Sequence, residues 1–335
     1  MTPENLVRLR EIGSFDTGAS GSTPIALSPD GQQAAFILSQ ADPVANKYCR
    51  ALLVVPVKPG GQPRIIDRGG EFIMLRGFVR GLSVAVGSPA PVTPKWSPDG
   101  STIAYLRRDD GVTQAWLAAA DGTNARAATH SAVDIEAIGW TRKGDGLVFA
   151  SRPGAIIAQE RITREARSGW LYDDRIVTNG GPRPRLGVNE APLEMSVLDL
   201  ESRLTRPATA DEQTVLEQRN AISSSGRKAW IGPASDDVAA PLQLWAEQED
   251  GRAVACKAEA CSAVIGWWWS EDGRELRFLC REGWRAGFYA FYQWYPGSGS
   301  PVRLYSTEDV IENCLSLGDR LLCTVENSTT PRRIV

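Results

Sequence analysis

The feature that most constrains this chain is an internal repeat. Six ten-residue segments align without gaps: 27–36, 96–105, 140–149, 222–231, 269–278 and 314–323. Two copies share Ser-Pro-Asp-Gly outright, as Leu27-Ser-Pro-Asp-Gly31 and Trp96-Ser-Pro-Asp-Gly100, and every copy has glycine at its fifth position: Gly31, Gly100, Gly144, Gly226, Gly273 or Gly318. Each copy starts on a large or apolar residue, turns at its glycine and leaves on an alternating apolar run. Glycine supplies the positive φ that a tight turn needs, Pro and Asp preset the residues before it, and period-two alternation gives the returning strand one buried face. The copies therefore predict β-hairpins whose end residues, such as Leu27 and Phe36, Trp96 and Tyr105, or Trp140 and Phe149, are neighbours across the hairpin. The same alignment puts Cys314 near Cys323, with a Cα separation near the range of about 4.4–6.8 Å that permits a disulfide.

Successive turn glycines are 69, 44, 82, 47 and 45 residues apart. Three of these intervals match the period of about 40–50 residues of a propeller blade, and further strand candidates follow each hairpin, such as 113–119 with its Asp121-Gly122 turn. The fold class expected is an all-β propeller of four-stranded antiparallel blades, with six repeats visible and the last incomplete. The propeller is expected over 22–335 after an N-terminal arm, 1–21. The long intervals require insertions at 68–92 and, in blade three, at 157–193. The second insertion holds a polar, helix-like stretch at 158–168, then Trp170-Leu-Tyr-Asp-Asp-Arg175, then a Gly/Pro-rich loop to Arg185. A propeller closes its ring to remove sheet edges, so a sixth repeat that stops in mid-blade predicts that the polypeptide continues.

Composition narrows the function classes. With 42% hydrophobic and 23% charged residues the chain is an ordinary globular one. Its 37 basic and 40 acidic residues give a net charge of -3 with no basic run, which argues against nucleic acid as a partner. No apolar stretch approaches the roughly 20 residues of a membrane span, so no membrane partner is expected. The N-terminus is charged where a secretory signal would be apolar. That leaves either a cytoplasmic chain or a periplasmic one whose signal has been removed. Six cysteines form no CxxC pair, and they read first as buried small apolar residues, although an even count keeps an oxidising compartment open. One histidine, His130, and the lack of a metal-ligand pattern imply no metal and no cofactor.

Catalytic machinery is not recognisable. There is no G-x-S-x-G elbow: the nearest string, Gly297-Ser-Gly-Ser-Pro301, reads as a turn between strands, and a triad would have to use the lone His130. The carboxylate pairs Asp109-Asp110, Asp173-Asp174 and Asp236-Asp237 read as turns. Asp173 and Asp174 carry more weight because Trp170, Tyr172 and Arg175 flank them within an insertion, and insertions on a rigid scaffold are where binding tends to sit. In Trp267-Trp-Trp269, the last residue takes the repeat position of Trp96 and reads as core, which leaves Trp268 as the one open to a ligand. Trp284 is a better exposed aromatic. Substrate-binding candidates are thus Trp170, Tyr172, Asp173, Asp174 and Arg175, then Glu71 and Arg76 of the first insertion, and Trp284. The bland alternative is that these loops only seal a domain junction.

The hairpins resemble the repeats of TolB-like propellers and of the N-terminal domains of the prolyl oligopeptidase family. A narrower resemblance rests on Ala41-Asp-Pro-Val-Ala-Asn-Lys-Tyr-Cys49, Gly111-Val-Thr-Gln-Ala-Trp116, Ser131-Ala-Val-Asp-Ile-Glu136 and Ser168-Gly-Trp-Leu-Tyr-Asp-Asp-Arg175. Together these are similar to the propeller part of lasso peptide isopeptidases. In that family the propeller precedes an α/β-hydrolase domain whose serine triad cuts the isopeptide bond closing a lasso peptide's ring. The resemblance implies a propeller that recognises and gates a lasso peptide substrate, with the hydrolase domain as its partner and catalysis there, since nothing in this chain corresponds to the triad. The alternative, of another class, is a non-catalytic TolB-like propeller that binds a protein or peptide.

Overall fold

A computed structural model describes residues 2–13, 23–79, 82–176, 183–187, 189–216, 221–223, 225–235, 237 and 240–335. The chain divides into two compact units, Met1–Glu217 and Gln218–Val335. Each of the six repeat segments starts its own antiparallel sheet. In the first unit the second sheet runs Lys95–Trp96, Thr102–Asp109, Val112–Ala119, Arg126–Ala127, and the third runs Ile135–Trp140, Gly146–Ser151, Glu194–Asp199, Thr205–Pro207. The first sheet is built on Gln33–Asp42 and Lys47–Pro56. It gains Arg10–Ile12, from the stretch read as an arm, as an extra strand paired through Arg10↔Gln40. The second unit holds two four-stranded sheets and a three-stranded one that ends on Thr330–Ile334.

Alternation along the strands builds the cores. In the second sheet Ile103 and Tyr105 pack with Ile37, Leu52 and Val54 of the first sheet. Ala104, between them in sequence, packs on the other face with Ile138, Leu147 and Phe149 of the third sheet. The repeat tryptophans stitch sheet to sheet: Trp96 Nε1 donates to the carbonyl of Ala26 at 3.1 Å, and Trp140 Nε1 to that of Lys95, the equivalent position one repeat on, at 2.8 Å.

The hairpins form, but their register corrects the expected pairing. The Cα partners are Leu27↔Ala34, Trp96↔Ile103, Trp140↔Leu147 and Trp269↔Leu276, so Phe36, Tyr105 and Phe149 lie two residues beyond the partner of the first residue. The cause is the turn. Ser28 Oγ accepts from Gln33 N at 2.9 Å and Ser97 Oγ from Thr102 N at 3.0 Å. The ladder therefore closes on those pairs and leaves four residues in the loop. Gly31 and Gly100 sit there with φ of 69° and 71°. The sixth turn is shorter, pairing Leu317 with Arg320. That shift brings Cys314 directly opposite Cys323, with Cα atoms 4.1 Å apart and the sulfurs bonded.

A second disulfide joins Cys256 to Cys261 across a 3-10 turn. The cysteines are thus more than small apolar filling: buried Cys280 and exposed Cys49 are the two free thiols. The three α-helices of the described residues are α1 (Pro3–Val7), α2 (Ala155–Glu165) and α3 (Ala210–Gln213). None is long and apolar enough to cross a membrane. Helix α2 begins three residues before the stretch read as helical. Its buried residues, Ala158 and Ile162, are four apart on one face, which leaves the rest of the helix outward.

Candidate functional site

Because consecutive strands are antiparallel, three connections in the first unit leave one end of their sheets. They are the turn at 110–111, the link at 128–134 and the long insertion at 152–193. The first insertion folds as a hairpin, Met74–Val79 with Leu82–Pro89, and a bridge Leu82↔Gly187 ties it to the second. Between them lies a groove of about 770 Å³, lined by Ile156, Gln159 and Thr163 of α2, by Val112 and Val133, and by Arg76. Beside it is a compartment of about 450 Å³ that shares Arg76, Gln159, Thr163 and Leu186 and adds Trp170, Arg183 and Arg185.

Charges along the groove's wall are mostly paired. Arg152 Nε meets Glu136 at 3.0 Å and its Nη1 donates to the carbonyl of Ala191 at 2.7 Å. Arg108 Nη1 meets Asp134 at 2.7 Å, and Asp134 also accepts from Thr113 N. Glu71 lies at this edge: it bridges to Arg108, and its carboxylate accepts from Gly111 N at 3.3 Å. Its role is to hold the 108–111 turn. Asp109 is likewise an ion-pair partner, of Arg107. His130 is an exposed loop residue, and Asp236 lies outside the described residues.

The stretch 170–175 divides by role. Arg175 donates from both Nη atoms to the two Glu165 oxygens, each at 2.8 Å, and from Nε to both Asp173 oxygens, each at 3.0 Å. Hydrogen bonds from Arg175 hold the carboxyls of Glu165 and of Asp173 below their ordinary range, and those acids raise the guanidinium in turn. This clasp pins the end of α2 to the loop that follows. Trp170 Nε1 donates to the carbonyl of Ile162 at 3.0 Å, a carbonyl in the helix's last turn that also accepts from Ala166 N at 3.2 Å, so the indole is tied to the end of the helix. Tyr172, 69% exposed, and Asp174 face solvent. The structure thus gathers Arg76 and Trp170 at one cavity wall, turns Asp173 and Arg175 inward on each other, and leaves Glu71 at the rim.

In the second unit Trp284 is 79% exposed in the turn after Leu276–Glu282, with Arg285 over its ring at 4.4 Å. Trp269 is buried, but Trp268 is not free for a ligand: its Nε1 donates to the Cys314 carbonyl at 3.1 Å, and the ring packs on Phe291. Both faces of that strand are covered because a further sheet packs on each side. The sequence reading missed Arg183, Arg185 and the outer face of α2. The alternating Arg183-Pro-Arg185 in a Gly/Pro-rich loop is the signal that pointed there.

No family model matches the chain. Lasso peptide isopeptidase AtxE2 of Asticcacaulis excentricus is 34% identical over the whole chain, which covers 49% of that protein. The chain thus spans about half the length of this curated relative. A solved structure described as an AtxE2 isopeptidase variant with Astexin3-dC4 bound is 32% identical, with a TM-score of 0.89 over all of this chain and 52% of that one. The β-propeller domain of the Trilobed protease from Pyrococcus furiosus, 14% identical, gives a TM-score of 0.50 over 96% of this chain and 92% of its own, a likeness of fold alone. By sequence and by fold the whole chain is thus similar to about half of lasso peptide isopeptidase AtxE2.

Proposed function

We propose that this chain is the substrate-recognising and gating propeller of a serine isopeptidase that acts on a lasso peptide. On this reading residues 22–335 form the six blade repeats, the last incomplete, and the serine chemistry belongs to an α/β-hydrolase domain. The observation that carries the proposal is the groove where the two insertions meet, on a chain homologous to an isopeptidase over its whole length. A lasso peptide is a compact folded object. A wall that receives it must be wide, rigid and mixed in polarity, and α2 braced by its clasp on a sheet scaffold meets that need. The propeller then acts as wall and size filter while bond cleavage proceeds elsewhere.

The test is binding of a lasso peptide and of its unthreaded linear isomer to this chain, followed by kinetics of the complete protein with Ile156→Glu in the groove. The expected outcome is a preference of about tenfold or more for the threaded form, and in the variant a KM raised about tenfold with kcat little changed, because uniform binding is lost. Equal binding of the two isomers, or unchanged KM in the variant, would falsify the proposal and favour a scaffold that binds another partner.

A further inference from the structure

The compartment next to the groove has an uneven charge balance. Arg76, Arg183 and Arg185 line it, and no carboxylate does. The Nε of Arg185 is buried without a hydrogen-bond partner, and among the described residues its guanidinium meets no acid. Its backbone is fixed, since Arg185 N donates to the Arg175 carbonyl at 2.9 Å. The Arg183 guanidinium lies 5.9 Å from the centroid of the Trp170 ring and has no ion-pair partner among the described residues. Ten residues earlier in the chain, Arg175 has taken both nearby acids, Glu165 and Asp173. The protein therefore supplies two counter-charges to one arginine and none to Arg183 and Arg185.

Burying an N–H donor such as the Nε of Arg185 without an acceptor is unfavourable, and the planar fork of arginine matches a carboxylate through two parallel N–H bonds. We propose that this compartment is a carboxylate-binding subsite. Arg185 and Arg183 grip the carboxylate, and the Trp170 ring and Ile162 cover the carbon chain that bears it. This deepens the peptide-binding reading above and rests on it for the source of the ligand. A peptide lying in the larger groove can present either its C-terminal carboxylate or an acidic side chain to the space beside Arg76, which the two cavities share.

Small probes separate these sources without a lasso peptide, so the subsite and the lasso reading can fail independently. The complete protein is treated with phenylglyoxal, and modification of Arg183, which is exposed, is followed by peptide mass mapping. Four probes compete: N-acetylalanine, with an α-carboxylate only; N-acetylaspartic acid α-amide, with a side-chain carboxylate only; N-acetylalanine amide, with none; and inorganic phosphate. At about twice its Kd an acid that occupies the site slows modification about threefold, and the acid that does so names the source. The amide leaves the rate unchanged, and Arg185→Met abolishes the protection. Should that variant fail to fold, Arg185→Lys keeps the charge, loses the fork and is expected to weaken protection. Protection by the amide, protection by neither acid, stronger protection by inorganic phosphate, or full protection retained in the Arg185 variants would each overturn the assignment.

Discussion

Residues 165–176 and 183–187 belong to one insertion, sit within reach of one another and use their arginines in opposite ways. Arg175 is enclosed by two carboxylates and holds the fold together. Arg183 and Arg185 face a cavity with no acid in its lining. The clasp makes the open pair usable, because Arg185 hangs from the Arg175 carbonyl. A charge neutralised inside the protein is structural and a charge left over is available to a ligand, and the two cannot be told apart by residue type.

The sharpest way to break this comparison is at the clasp. Arg175→Met removes four side-chain hydrogen bonds of a charge-assisted network and leaves Glu165 and Asp173 facing each other, so the melting temperature should fall by about 3–5 °C. The effect depends on pH with a defined sign. Both carboxyls have folded-state pKa values lowered by Arg175, so their contribution is fully present above the unfolded values of about 3.9–4.3 and is lost as pH falls through the folded ones. The gap between native and variant melting temperatures should be complete at neutral pH and close below about pH 4. A gap independent of pH would mean that the clasp is not ionic.

Trp170→Phe keeps most of the ring against the cavity and deletes one hydrogen bond to the Ile162 carbonyl. A loss of about 1 kcal/mol, or about 2–3 °C, is expected by thermal melting. A larger loss would show that the indole carries packing of the loop as well as the helix end. Arg185→Met should act in the other direction, with a melting temperature unchanged or raised by about 1–2 °C, since it removes an unmatched charge in favour of a side chain of similar length. A fall as large as that of Arg175→Met would erase the distinction between the two regions. The smallest effect belongs to Tyr172→Ala with Asp174→Ala. Both side chains face solvent, and the double variant should melt within about 1 °C of the native protein.

The hairpins, the glycine turns and the four-strand rhythm were legible in the sequence because turn chemistry and period-two burial act over a few residues. So was the place of Cys314 beside Cys323, although the pairing expected for Trp96 with Tyr105 was two residues out. The Ser97 hydroxyl closes a four-residue loop there, whereas the turn at Gly318 is shorter. The two insertions could be named as the place to look, but not how their side chains divide. Asp173 and Arg175 read as binding residues and prove to be each other's partners, Trp268 read as open and is covered by a neighbouring sheet, and Arg183 and Arg185 went unremarked. Local propensity depends on neighbours in the chain, and those neighbours are written in the sequence. Which charge is cancelled, which aromatic is covered and where a cavity opens depend on groups beyond the immediate chain neighbours, such as Glu165 on Arg175 or Leu82 on Gly187, that only the folded chain brings into contact.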